Sequence, residues 1–166
     1  MTIAQHKLAP CLWFDTQAED AARFYCSVFK NSKMGAVSRY PAAGQDVHGN
    51  AAGSVMTADF EIEGVMFTAL NGGPHFKFSE AVSFQVFCKT QDEIDYYWDA
   101  LTADGGQESQ CGWLKDKFGL SWQIAPEGMI EMMSGPDCDA AARVMAAFMQ
   151  MKKFDIATVK KAYAGK

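Results

Sequence analysis

Few residues of this chain carry chemistry by type, and their spacing narrows what that chemistry could be. The histidines, His6, His48 and His75, are scattered and form no metal-binding triplet along the chain. His75 follows Asn71-Gly72-Gly73-Pro74, where it reads either as a general base or as a solvated loop histidine. The cysteines are 11, 26, 88, 111 and 138, an odd number with no CxxC pair, so neither a disulfide framework nor a zinc ribbon is expected. Cys11, Cys26 and Cys88 stand among apolar neighbours and read as core. Cys111 differs, because it precedes Gly112-Trp113 in the stretch CGWLKDKFGLSW. It reads as a small buried side chain, or as a reactive thiolate if Lys115 or Lys117 lies beside it. The stretch itself reads as a hairpin with a solvated Lys115-Asp116-Lys117 turn, or as one wall of a ligand site. Trp13, Phe67, Trp113 and Trp122 are candidates to line a cup for an aromatic or apolar ligand, core packing being the alternative for each. Asn71 and Gln123 are neutral hydrogen-bonding side chains at strand positions, and they would orient a ligand if they face a cavity.

The bulk of the chain limits what these residues can serve. A length of 166 residues suits one domain or two small modules. With 49% apolar and 21% charged residues, a packed globular protein is expected. The formal net charge of −5 gives no electrostatic reason to bind nucleic acid or an anionic membrane. No apolar run approaches the ~20 residues that span a bilayer. MTIAQHKLAP lacks an apolar signal core, so a cytoplasmic protein is the expectation.

The elements that must position the candidates follow from periodicity. Residues 8–14, LAPCLWF, read as a buried strand. Thr16 and Glu19 have capping-box spacing, and a helix runs from Ala18 to Phe29 with Ala21, Phe24, Tyr25, Val28 and Phe29 recurring at helical intervals. Residues 36–41 look like a strand, and 42–54 like a long, mobile, glycine-rich loop. Residues 55–73 form a hairpin about Glu63-Gly64. Residues 82–89 alternate as a strand, and Thr90 and Glu93 open a helix carrying Ile94, Tyr97, Trp98 and Leu101. Strands and a hairpin lead on to Pro126. In residues 119–125, alternation sends 120, 122 and 124 to one face and 121, 123 and 125 to the other. Pro136-Asp137 opens a helix with Ala141, Val144, Met145 and Phe148 on one face and Lys152 and Lys153 favouring its C-terminal dipole. Asp155 caps a last short helix with Ile156, Val159 and Tyr163 in register.

The halves repeat. TQAE at 16–19 matches TQDE at 90–93, an offset of 74 residues, which pairs Leu12 with Val86 and Trp13 with Phe87. Gly64-Val65-Met66-Phe67 parallels Gly119-Leu120-Ser121-Trp122 at an offset of 55. The shorter offset fits a glycine-rich loop present only in the first half. Each half thus reads strand, helix, then three strands. The fold class is α+β, with two βαβββ modules, 1–74 and 75–134, forming a concave mixed sheet, and a tail, 135–166, of two C-terminal helices. A sheet covered by a helix on one face leaves the other for a partner or a ligand.

Paired βαβββ modules resemble the vicinal oxygen chelate superfamily of glyoxalase I, extradiol dioxygenases and bleomycin-resistance proteins. The segments LNGGPHFKFSEAVSFQVFC (70–88), CGWLKDKFGLSWQIAP (111–126) and RVMAAFMQMKKFDIATVKKAYAG (143–165) resemble most its PhnB-like branch, often described as 3-demethylubiquinone-9 3-methyltransferase. The resemblance implies a glyoxalase-like fold, a homodimer and a small-molecule ligand. It also implies where a divalent metal would sit, at Ala9, Thr68, Ser83 and Gln123. None of these is a carboxylate or an imidazole, so no metal site of the superfamily type, and no cofactor, is expected. Transfer from S-adenosylmethionine usually uses a doubly wound sheet with a glycine-rich first turn, and Gly35, Gly72-Gly73 and Gly105-Gly106 do not follow that spacing. The expected function is a metal-free cup for a small apolar or aromatic ligand. The alternatives are a metal-dependent lyase, isomerase or dioxygenase, and a protein that sequesters a drug without catalysis.

Overall fold

The computed structural model describes residues 7–166, so His6 lies outside the described residues. By contacts the chain divides into two compact units, Met1–Lys77 and Phe78–Lys166.

In the first unit the strands are β1 (Cys11–Phe14), β2 (Ser32–Arg39), β3 (Val55–Ile62) and β4 (Val65–Asn71), and the main helix is α1 (Ala18–Val28). The sheet order is β1-β4-β3-β2, parallel between β1 and β4 and antiparallel elsewhere. Alternation along the strands sends Leu12, Phe14, Ala58, Phe60, Ile62, Phe67, Ala69 and Asn71 inward. They meet the apolar stripe of α1, where Ala18, Ala21, Ala22, Tyr25 and Val28 are buried and Tyr25 stacks on Phe60. Strand β2 starts earlier than its composition suggests, because a bulge between Met34 and Val37 breaks the period of two. The glycine-rich 42–54 segment contains one helical turn, α2 (Gln45–His48). Its His48 ring stacks on Tyr40 at 4.5 Å, and Tyr40 exchanges backbone hydrogen bonds with Gly53 and Ser54 at the base of the loop.

The expected Thr16–Glu19 capping box does not form. The first helical N–H of α1, that of Ala18, donates instead to Asn71 Oδ1 at 2.8 Å, and Glu19 pairs with Arg23 one turn on.

The second unit repeats the plan. Its strands are β5 (Ser83–Cys88), β6 (Gln107–Glu108), β7 (Trp113–Lys115) and β8 (Ser121–Pro126), in the order β5-β8-β7-β6. Helix α3 (Gln91–Thr102) covers one face with Ile94, Trp98 and Leu101. Here Thr90 does cap the helix: its Oγ1 accepts from Glu93 N–H, while the Glu93 carboxylate reaches one residue past the cap and accepts from Lys89 N–H. Three helices follow β8, one more than expected: α4 (Met129–Ser134) precedes the 135–166 tail, and α5 (Cys138–Phe148) and α6 (Ile156–Tyr163) form it, capped by Asp137 and Asp155. Lys152 and Lys153 lie beyond α5 and do not serve its dipole. Lys153 reaches α3, where it pairs with Asp95 at 2.9 Å and Asp99 at 3.4 Å.

The cysteines separate by burial. Cys88 is buried under α3, as expected, but Cys26 is only half-buried and Cys11 is exposed, because Cys11 lies on the face of β1 turned away from α1. No described helix is long and apolar enough to cross a membrane.

Candidate functional site

The face of the second sheet not covered by α3 carries Ser83, Gln85 and Phe87 from β5, Ser121, Gln123 and Ala125 from β8, and Trp113 and Lys115 from β7. The register sets Ser83 beside Ser121, Gln85 and Trp113 beside Gln123, and Lys115 beside Ser121. Two cavities open on this face. One, of about 440 Å³, lies over Gln85, Phe87 and Gln123 and is also lined by Met129 and Met133 from α4 and by Phe148 and Phe154 from the tail. The other, of about 450 Å³, is more polar and takes in Glu80, Glu108, Lys115 and Ser121. Cys111 and Trp113 line both.

The chain holds Cys111 at that divide by a two-residue turn. Trp113 N–H donates to Gln110 O, and Cys111 and Gly112 occupy the centre with φ of 57° and 79°. That conformation costs a non-glycine residue about 1 kcal/mol or more. The neighbouring contacts enforce it: Cys111 N–H donates to Met151 O at 2.8 Å and Gly112 N–H to Lys152 O at 2.7 Å. The thiol points to Met149 Sδ, 3.8 Å away.

A polar strip crosses the floor of the more apolar chamber. Gln85 Nε2 donates to Gln123 Oε1 at 3.4 Å, and Gln123 Nε2 donates to Ser83 Oγ at 2.8 Å. These amides sit among aromatic and methionine side chains, which is the composition of a small-molecule pocket.

Of the residues expected to bind a ligand, Cys111, Trp113 and Gln123 come together here. The others do not. Trp122 turns to the α3 side, where it packs on Phe84 and donates through Nε1 to Asp116 Oδ2 at 2.9 Å. Phe67 does the same in the first unit, stacked on Phe60 beneath α1. Asn71 is buried and committed: Oδ1 accepts from Ala18 N–H, Nδ2 donates to Val55 O, and its backbone oxygen accepts from the Tyr40 hydroxyl. Trp13 lies on the uncovered face of the first sheet but is built into its loop, with Nε1 donating to Gly73 O and the ring edge-on to Phe76. A Cβ on Gly72 would stand 2.1 Å from that ring. The Lys115-Asp116-Lys117 turn is not simply solvated, because Asp116 is 2% exposed. His75 is an exposed loop residue.

Sequence reasoning missed Phe87, Met129, Met133 and Phe154. Phe87 was legible as the repeat partner of Trp13. The roof was not, since helical periodicity gives a tail's apolar side but not what it covers.

The superfamily's metal positions do not fit a divalent cation. Thr68 Oγ1 donates to Asp59 Oδ1 at 2.8 Å, Ser83 and Gln123 bond each other, and Ala9 offers a methyl group. Among the described residues no cluster of three or more His, Cys, Asp or Glu is placed to hold a metal ion. Hydroxyls and an amide are weak donors for zinc or a harder ion.

Comparison with known proteins bears on the same architecture. The family model for 3-demethylubiquinone-9 3-methyltransferase matches residues 6–125. A PhnB protein from Bacillus cereus is 32% identical with a TM-score of 0.64, over 74% of this chain and all of that one. The protein PA1353 from Pseudomonas aeruginosa is 18% identical with a TM-score of 0.57, over 74% and 98% of the two chains. The fosfomycin resistance protein FosX from Mesorhizobium loti is 12% identical with a TM-score of 0.50, over 74% and 91%, a likeness of fold alone. No curated protein matches the chain. Two βαβββ units, each with a mixed four-stranded sheet backed by a helix, together with the matched residues, make the chain a member of the 3-demethylubiquinone-9 3-methyltransferase family, in the PhnB-like branch of the vicinal oxygen chelate superfamily.

Proposed function

We propose that the second unit binds a small apolar or aromatic molecule without a metal. One observation carries this reading: a pocket of about 440 Å³ with apolar walls and a Gln85–Gln123–Ser83 strip on its floor. The walls, Phe87, Trp113, Met129, Met133, Phe148 and Phe154, supply apolar area and adaptable packing. Gln123, half-buried and bonded to Ser83, gives orientation, because a ligand group that pairs with its amide is favoured over one that leaves it unpaired.

Methyl transfer, the activity in the family's description, has less support. Each sheet is mixed, with a single parallel pair, and offers no strand crevice of the doubly wound kind. The reading extends to a homodimer, supported by exposed Met145 and Met149 on the tail, and to a reducing compartment such as the cytoplasm, which suits five free cysteines.

Thermal shift against a panel of aromatic metabolites, with and without added zinc, tests the binding. Stabilisation by an aromatic compound that is independent of metal and weakened in Gln123→Leu supports it. Stabilisation that requires zinc, or is unchanged in Gln123→Leu, overturns it.

A further inference from the structure

The polar chamber next to this pocket contains an unsatisfied group. Ser121 is 0% exposed, yet its hydroxyl has no hydrogen-bond partner. Buried hydroxyls are nearly always paired, and each exception calls for a physical reason. Ser121 lines the chamber with Lys115, its cross-strand neighbour on the same face. Lys115 Nζ is held at 2.5 Å by Glu80 Oε1. That carboxylate comes from the segment before β5, with a side chain 63% exposed, so the pair is a surface one that solvent screens and that another anion can displace. Lys115 holds the Glu80 carboxyl below the usual carboxylate range. The chamber thus takes in a lysine and a serine from facing strand positions, with the chain's own Glu80 carboxylate occupying the ammonium.

We propose that this chamber is a head-group site, in which a ligand carboxylate displaces Glu80 from Lys115 and accepts a hydrogen bond from Ser121. This rests on the adjoining apolar pocket holding the ligand's body, and it names the ligand class as an aromatic or apolar carboxylic acid. The shared wall, Cys111 and Trp113, spans both chambers, so one molecule can place its ring on one side and its anion on the other. The exchange is nearly neutral in charge, since one carboxylate leaves Lys115 as another arrives. The remaining acid of the chamber, Glu108, is already engaged by Trp98 Nε1 at 3.0 Å and Lys152 Nζ at 3.5 Å. It therefore does not compete for Lys115, and Lys152 offsets part of its repulsion of the incoming anion.

The test is calorimetric titration with 2-naphthoate and with its uncharged methyl ester. Naphthoate should bind the intact protein more tightly than the ester. Ser121→Ala should weaken naphthoate roughly tenfold, the size of one hydrogen bond to a charged acceptor, and leave the ester unchanged. Its melting temperature should hold or rise, since the unsatisfied hydroxyl is gone. Glu80→Gln, which removes the internal competitor, should tighten naphthoate several-fold. Equal binding of acid and ester, with both variants silent, overturns the head-group site while leaving the apolar pocket standing. Binding of neither probe overturns both.

Discussion

The indole Nε1 of Trp122 donates to Asp116 Oδ2 at 2.9 Å, with both residues almost closed to solvent. The other oxygen of the same carboxylate accepts from the N–H groups of Phe118, at 2.9 Å, and Leu120, at 3.1 Å. The β7–β8 connection is therefore folded around one buried anion. Asp116→Ala would strand the indole and backbone donors together, and a loss of about 3 kcal/mol or more is expected. Asp116→Asn should cost less, since one oxygen remains. Lys117→Ala, which breaks a surface pair with Asp104 and a cation–π contact with Phe118, should fall within about 1 kcal/mol of the parent. Urea denaturation of these variants checks the order.

Helix α1 is capped from 53 residues away, by Asn71, and not by the local Thr16. Asn71→Ala should cost about 2 kcal/mol, because it removes both the cap and the bond to Val55 O. Thr16→Ala should be neutral within ~0.5 kcal/mol, whereas Thr90→Ala, which removes a real cap on α3, should cost ~1 kcal/mol. Equal losses at Thr16 and Thr90 would contradict the structure.

The contrast between Thr16 and Thr90 shows how far the sequence could be read. Both have the capping-box spacing, but only the second lacks a tertiary competitor for the helix N-terminus. Element order and the internal repeat were legible because hydrophobic period and turn residues are local. The offsets even placed side chains on matching faces: Phe67 and Trp122 both lie under a helix, and Thr68 and Gln123 both on the uncovered side. What alternation cannot say is which face a helix covers. Trp122 and Gln123 were both candidate ligand contacts although adjacent strand residues point oppositely. Nor could it show that the C-terminal segment roofs the pocket, since Met129, Met133 and Phe154 line it together with Gln85 and Phe87 of β5, some 40 or more positions back along the chain.

The two tryptophans flanking the β7–β8 turn should separate binding from folding. Trp113 is half-buried at the wall between the chambers, and Trp122 is 3% exposed in the core. Trp113→Ala should abolish stabilisation by aromatic ligands with little change in the unliganded melting temperature. Trp122→Ala should cost about 3–5 kcal/mol and leave the Asp116 carboxylate without its indole donor. Near-ultraviolet circular dichroism and ligand thermal shift on both variants read the difference.

Burial pushes the Cys88 thiol up to about 12, with the nearby Glu93 carboxylate adding to the effect. The unfolded thiol titrates near its ordinary value of about 9, so the protonated folded form is favoured. The stabilisation is therefore complete below pH ~9 and is lost as pH rises toward 12. Stability should fall across that window, and Cys88→Ala should flatten this part of the decline. At pH 8, iodoacetamide should label exposed Cys11 and Cys138 while Cys88 stays unmodified until the protein unfolds. Mass spectrometry of labelled peptides reports the order.

The tail is held to the second sheet at Gly112, and that contact controls the roof of the pocket. Gly112 donates to Lys152 O and accepts from Ile124 N–H, so it bridges the tail to β8. Its positive φ strains any other residue, and an added Cβ would stand 2.4 Å from the Phe154 ring and 2.7 Å from Ile124 O. Gln91 adds a second tether, donating to Phe154 O and accepting from Ile156 N–H. Gly112→Ala should therefore displace the tail before it unfolds the sheet. Amide hydrogen exchange should accelerate over 151–163 while 83–88 and 121–126 stay protected. Phe154→Ala should reproduce the loss of ligand binding with weaker deprotection, because it removes part of the roof but keeps the backbone tethers. Uniform acceleration across the second unit in Gly112→Ala would mean that the tail and sheet open as one body and that the roof does not move independently.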